Sequence, residues 1–124
     1  MARGGVAMVL AAIAGGPVWA ADGDAAKGEM VFKKCSACHT VAKPPKHTIG
    51  PSLIGVFGRT SGTMDGFKYS DAMKDAKIVW DDKTIDGYLK DPKGFVPRNK
   101  MVFVGLPKED ERKDVIAYLK EAAK

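Results

Sequence analysis

Residues 34–40 read Lys34-Cys35-Ser36-Ala37-Cys38-His39-Thr40 and hold both cysteines of the 124-residue chain. Two thiols three positions apart, with a histidine directly behind the second, admit a redox-active disulfide, a zinc site or covalent attachment of haem. A thioredoxin-like disulfide lies among alternating strands and helices, a pattern absent here, and needs no histidine after the second cysteine. Zinc needs four ligands. Only His47 is left to join Cys35, Cys38 and His39, at a spacing that matches no common structural zinc pattern. The Cys-x-x-Cys-His form fits attachment of c-type haem. Thiols one helical turn apart reach the two vinyl groups on one porphyrin edge, and the adjacent imidazole can swing beneath the iron.

The segment ahead of the motif reads as an export signal. Arg3 supplies a thin positive start, residues 6–14 (VAMVLAAIA) are unbroken apolar, Gly15-Gly16-Pro17 interrupts them, and Val18-Trp19-Ala20 resembles an A-x-A cleavage site. Cleavage is expected after Ala20, so residues 1–20 are a leader and residues 21–124 the working domain. The apolar run is too short for a spanning helix, which needs about 20 residues. Export also suits thiols tied up by haem, because free thiols oxidise outside the cytoplasm.

Loss of the leader removes one of the 20 basic residues and none of the 15 acidic ones, leaving a mild positive excess. The lysines are spread along the chain and mixed with carboxylates, which favours an acidic protein partner over nucleic acid. A domain of this size is marginally stable. A tethered macrocycle gives it a rigid apolar body to fold around.

The pattern predicts an all-α domain with long loops. A first helix spans residues 24–38 with Asp24 as cap, and Met30, Val31 and Phe32 give it an apolar side. Between residues 40 and 66 the breakers Pro44-Pro45, Gly50-Pro51, Gly55, Gly58 and Gly62 exclude any extended helix or central strand. Ser70 caps a short helix over 71–75, and Asp81 or Asp82 caps another that must stop before Pro92. Pro107 opens the last helix, acids fill its first turn, and Val115, Ile116, Leu119 and Ala122 form its buried stripe.

Haem iron bound on one side by His39 leaves a sixth position. Met101 lies in a non-helical stretch after Pro92 that can cover the far face, whereas Met30 shares a helix with Cys35 and Met73 sits among charges. Met64 in its Gly-rich loop is a further candidate, and His47 is better placed to fix a loop. On the residues alone, a core methionine and a ligand are equal readings of Met101.

Five pieces in order resemble the class I c-type cytochromes, closest to the bacterial cytochrome c2 and mitochondrial-type group. They are KGEMVFKKCSACHTV (27–41), GPSLIGVFGRTSG (50–62), GFKYSDAMKDAKIVW (66–80), YLKDPKGFVPRNKM (88–101) and RKDVIAYLK (112–120). The resemblance implies a small helical fold around one haem c, thioether bonds from Cys35 and Cys38, and axial ligands His39 and Met101. It implies that the Pro51 carbonyl accepts the proximal N–H, that Arg59, Tyr69 and Trp80 surround the inner propionate, and that the Tyr88 hydroxyl approaches the methionine sulfur. Gly28, Phe32, Val115 and Tyr118 match a close crossing of first and last helices. Where the family commonly has Pro-Gly-Thr-Lys-Met, this chain has Pro97-Arg98-Asn99-Lys100-Met101. Arg98 is therefore expected to carry a positive φ at a cost of about 1 kcal/mol, with Asn99 in place of a threonine as propionate donor.

The function so implied is a periplasmic, monomeric electron carrier rather than an enzyme, because iron with both axial positions filled leaves no site for oxygen or peroxide. Lys34, Lys46, Lys93, Arg98, Lys100 and Lys108 are expected to ring the exposed haem edge, with Phe103 and Val104 as its apolar centre. The partners implied are acidic faces of redox proteins: a cytochrome bc1 complex as donor, and a terminal oxidase or photosynthetic reaction centre as acceptor.

Overall fold

The computed structural model of the protein describes residues 4–5 and 23–124. The expected leader and its cleavage site lie outside the described residues, Gly4 and Gly5 excepted. The described residues form five helices in order: α1 (Ala25–Phe32), α2 (Asp71–Ala76), α3 (Asp82–Lys90), α4 (Pro92–Phe95) and α5 (Glu109–Ala122). Among the described residues the only β feature is an isolated antiparallel bridge between Thr60 and Val79. None of their helices is long and apolar enough to cross a membrane.

Local chemistry sets most of the boundaries. The Asp24 carboxylate accepts from the backbone N–H groups of Ala26 and Lys27, satisfying donors that a helix start leaves unpaired. Helix α1 ends at Phe32, well before the expected residue 38. Beyond it the chain tightens into turns in which Cys35 N–H donates to Phe32 O and Cys38 N–H to Cys35 O. The Ser36 hydroxyl donates to Lys33 O at 3.1 Å, offering that carbonyl an alternative to the helical ladder.

Ser70 caps α2 by accepting from Met73 N–H. Asp81 rather than Asp82 caps α3, through a reciprocal box with Thr84. Helix α4 is an addition to the sequence reading: Pro92 supplies its first φ and the Asp91 carboxylate accepts from Gly94 N–H. Helix α5 starts at Glu109, two residues after Pro107, and Lys108 makes no side-chain cap bond. Its acidic first turn complements the helix dipole instead.

Helices α1 and α5 cross closely at Gly28. A Cβ there would lie 1.9 Å from the Asp114 carbonyl oxygen, so no other residue lets the backbones approach this far. Phe32 and Tyr118 form a tilted ring pair at the same crossing, with centroids 5.4 Å apart, and Asp24 N–H donates to the Asp114 carboxylate at 2.9 Å. The buried stripe of α5 continues from Val115, Ile116 and Leu119 to Ala123, not to the expected Ala122. Ala123 lies four residues beyond Leu119 and so falls on the same helical face.

Arg112 is buried on that helix. Its Nε donates to Asp86 Oδ1 at 2.7 Å and its Nη1 to the carbonyls of Leu106 and Pro107. One guanidinium thereby ties α5 to α3 and to the loop entering α5. The long section between α1 and α2 is held by backbone bonds rather than helices: Gly58 N–H to Trp80 O, Trp80 N–H to Arg59 O, and Ser61 N–H to Ile78 O.

Candidate haem site

These elements enclose a cavity of about 450 Å³ between the terminal helix pair, the long loop and the segment after α4. Cys35 and Cys38 enter it from the turns after α1 as free thiols. Burial, and next the neighbouring Cys38, push the Cys35 thiol up from its ordinary value, with Lys34 opposing. His39 follows on the same wall, its Nδ1 2.8 Å from the Pro51 carbonyl. A carbonyl only accepts, so Nδ1 carries the proton and Nε2 keeps its lone pair. Burial holds this imidazole below its usual range, partly offset by the bond to Pro51.

Sequence reasoning passed over Gly50. A Cβ there would stand 2.5 Å from His39 Cε1, so the missing side chain is what lets the loop backbone lie against the ring. The signal was present in Gly50-Pro51, but it reads from sequence as an ordinary chain breaker.

Met101 lies on the wall of the same cavity, with the Tyr88 hydroxyl donating to its Sδ at 3.8 Å. Burial pushes the Tyr88 phenol up to about 12, so it remains a donor across the neutral range. Arg59, Tyr69 and Trp80 line the cavity too. The Arg59 guanidinium is half-buried, donates to the Ser52 and Ile54 carbonyls and to Met64 Sδ, and has no carboxylate partner among the described residues. The Tyr69 hydroxyl and the Trp80 indole N–H make no hydrogen bond within the described residues. A cation and two free donors beside an apolar cavity suit an anionic group arriving there. The donor set therefore fits haem: two thiols and an imidazole on one wall, a thioether on the segment after α4, and donors for propionates.

Of the rival ligands, Met30, Met64 and His47 are placed elsewhere or otherwise occupied, whereas Met73 shares the cavity. Met30 is 60% exposed. Met64 is absent from the cavity lining and accepts from Arg59. His47 joins two loop segments: its Nε2 is 2.8 Å from Asp65 O, and its Nδ1 accepts from Ser52 N–H at 3.0 Å. Met73, though it sits among charges in the sequence, is half-buried against the core and lines the cavity.

Asn99 differs from expectation. Its amide nitrogen donates to the carbonyls of Pro92 and Val96, both at 2.9 Å, and its Oδ1 accepts from Met101 N–H at 2.8 Å. Buried and absent from the cavity lining, it has no donor left for a propionate. Arg98 does adopt the left-handed conformation, with φ of 67°.

The expected ring of cations is only partly free. Lys34 pairs with Glu111 at 3.5 Å, Lys100 donates to Lys68 O at 3.2 Å, and Lys93 donates to Asn99 O. Lys46, Arg98 and Lys108 are exposed. The apolar centre shifts by one residue. Val102 and Val104 are 98% and 94% exposed, whereas Phe103 is half-buried and packs against the core.

The family model for cytochrome c matches residues 25–123, almost the whole described domain. The chain is 54% identical over 101 residues to cytochrome c of Chlamydomonas reinhardtii, covering 81% of this chain and 90% of that one. It is 48% identical over 118 residues to cytochrome c2 of Rhodomicrobium vannielii, covering 92% and 91%. Cytochrome c2 of Blastochloris viridis is 47% identical over 102 residues, covering 82% and 80%. The fold and the Cys-x-x-Cys-His motif define a c-type haem protein with one covalently bound haem. The chain belongs to the cytochrome c family, whose members transfer electrons and are not enzymes.

Proposed function

We propose that the chain is a periplasmic one-electron carrier whose haem iron is held by His39 and Met101. The observation that carries this reading is the shared cavity: a half-buried imidazole oriented by the Pro51 carbonyl, and a thioether oriented by the Tyr88 hydroxyl. Bound haem supplies the one-electron chemistry, cycling between ferric and ferrous iron, with the thioether favouring the ferrous state. The chain's own residues do the rest. Cys35 and Cys38 tether, Pro51 fixes the imidazole tautomer, Arg59, Tyr69 and Trp80 offer donors to a propionate, and the apolar walls exclude water.

Export is supported by the signal-like pattern of residues 1–20 and by the reach of the Rhodomicrobium likeness. Its 92% coverage is about 114 of 124 residues, more than the described domain contains, so it extends into the segment before α1. Partners follow from charge. The exposed cations Lys46, Arg98 and Lys108, with the exposed apolar Val102 and Val104, suit the acidic faces of a bc1 complex as donor and of a terminal oxidase or reaction centre as acceptor.

Two measurements test this. Ferric protein should show a weak band near roughly 695 nm that Met101→Ala abolishes while lowering the reduction potential. Survival of the band in that variant would remove Met101 as ligand. In stopped-flow with an isolated acceptor, Lys100→Glu should slow association more than Lys120→Glu, since Lys120 is already paired with Asp82. Equal losses would mean that net charge, and no particular face, governs docking.

A further inference from the structure

The segment carrying Met101 has an unusual support. Its turn passes through Arg98 at φ 67°, a conformation that disfavours side chains, and residues 97–108 form no helix that could hold it. Within it, Asn99 uses every hydrogen-bonding capacity of its carboxamide: two donations to Pro92 and Val96 carbonyls, and an Oδ1 that accepts from Met101 N–H at 2.8 Å and from Lys93 Nζ at 3.3 Å. The same Lys93 ammonium also donates to the Asn99 backbone carbonyl. A hydroxyl with its single donor could not bridge Pro92, Val96 and Met101 at once.

We infer that Lys93 and Asn99 form a clasp that positions Met101, offsetting the conformational penalty of Arg98. This rests on the reading of Met101 as the iron ligand. Asn99 is the positioning residue in direct contact with the Met101 backbone, and Lys93 braces it from helix α4. Lys93 therefore serves the loop that holds the sulfur as well as any docking face. Because the ammonium bonds are charge-assisted but belong to an exposed residue, their loss should loosen the loop by about five- to ten-fold in its opening equilibrium.

The test uses full-length, haem-loaded ferric protein, with imidazole as an external ligand that binds only when Met101 lets go. Lys93→Met is the informative variant, and Lys83→Met, which removes an exposed charge from α3 without touching the loop, is the control. Imidazole affinity, read from loss of the band near roughly 695 nm, should rise about five- to ten-fold in Lys93→Met and stay at the parent value in Lys83→Met. Hydrogen exchange at the Met101 amide should accelerate by a similar factor, a readout independent of the iron. If Lys93→Met stays within about two-fold of Lys83→Met in both measurements, the clasp is refuted and Lys93 is a surface cation only. If the band survives in Met101→Ala, both the ligand reading and the clasp fall. If the band disappears there while Lys93→Met is silent, the clasp alone fails.

Discussion

Arg98→Gly isolates one backbone angle. A non-glycine residue in the left-handed region costs about 1–2 kcal/mol, and Arg98 sits there at φ 67°. Glycine removes that penalty but gives the unfolded chain more freedom, a counter-effect of about 0.5–1 kcal/mol. The net gain for the ordered turn is about 0.5–1 kcal/mol. Rising pH frees lysine amines to compete for iron, and Lys100 stands next to Met101, so loss of the 695 nm band with pH reports how readily the loop opens. At about 1.4 kcal/mol per pH unit, the midpoint of Arg98→Gly should move up by about 0.4–0.7 units. Lys77 provides the control. It also has a positive φ, 51°, but at the end of α2. Lys77→Gly should raise resistance to urea by a comparable amount without moving the spectroscopic midpoint. An unchanged or lower midpoint in Arg98→Gly, or an equal shift in Lys77→Gly, would refute the idea that strain at residue 98 governs the loop.

Gly28→Ala places a methyl 1.9 Å from the Asp114 carbonyl, so α1 and α5 must separate, and urea unfolding should show a loss of about 3 kcal/mol or more. A loss below about 1 kcal/mol would mean that the crossing is looser than described. Tyr88→Phe tests a titration. The folded phenol is pushed up to about 12 by burial, above the ordinary 10, so between those values the unfolded chain releases a proton that the fold retains. Stability should therefore fall as pH rises from 10 towards 12, and Tyr88→Phe should flatten that part of the urea-stability curve. The parent and variant curves running parallel there would contradict it.

The sequence disclosed those features whose signals are local or chemically rare. The Cys-x-x-Cys-His motif, the caps at Asp24, Ser70 and Asp81, and the acidic start of α5 depend on residues close together in the chain. The family resemblance carried the rest of the cavity lining, bringing Arg59, Tyr69, Trp80, Tyr88 and Met101 to one place. Misreadings arose where side chains had a choice of partners. Asn99 looked like a donor to the cofactor, yet three backbone groups within seven residues of it compete for the same amide and prevail. Lys93, Lys100 and Lys34 looked like free charges, and each has a local or long-range acceptor invisible to composition. Helix α1 is shorter than its sequence pattern because residues 33–38 hold no Gly or Pro to mark an end, while Ser36 draws the Lys33 carbonyl away from the ladder.

The crossing of α1 with α5 also fixes an order of events. Asp24 and Asp114, which meet there, are 90 residues apart, so this wall of the cavity cannot form until the two ends of the domain have come together. Phe32, Val115 and Leu119, which line that side, stay apart until then. The two thiols, by contrast, sit in turns whose backbone bonds span only three or four residues and can form early. A chain not yet fully folded thus presents its attachment segment while the chamber is still open on one side. The covalent step has its window of access before the last helix closes the wall, and a chain that completes its fold first shuts that window on itself.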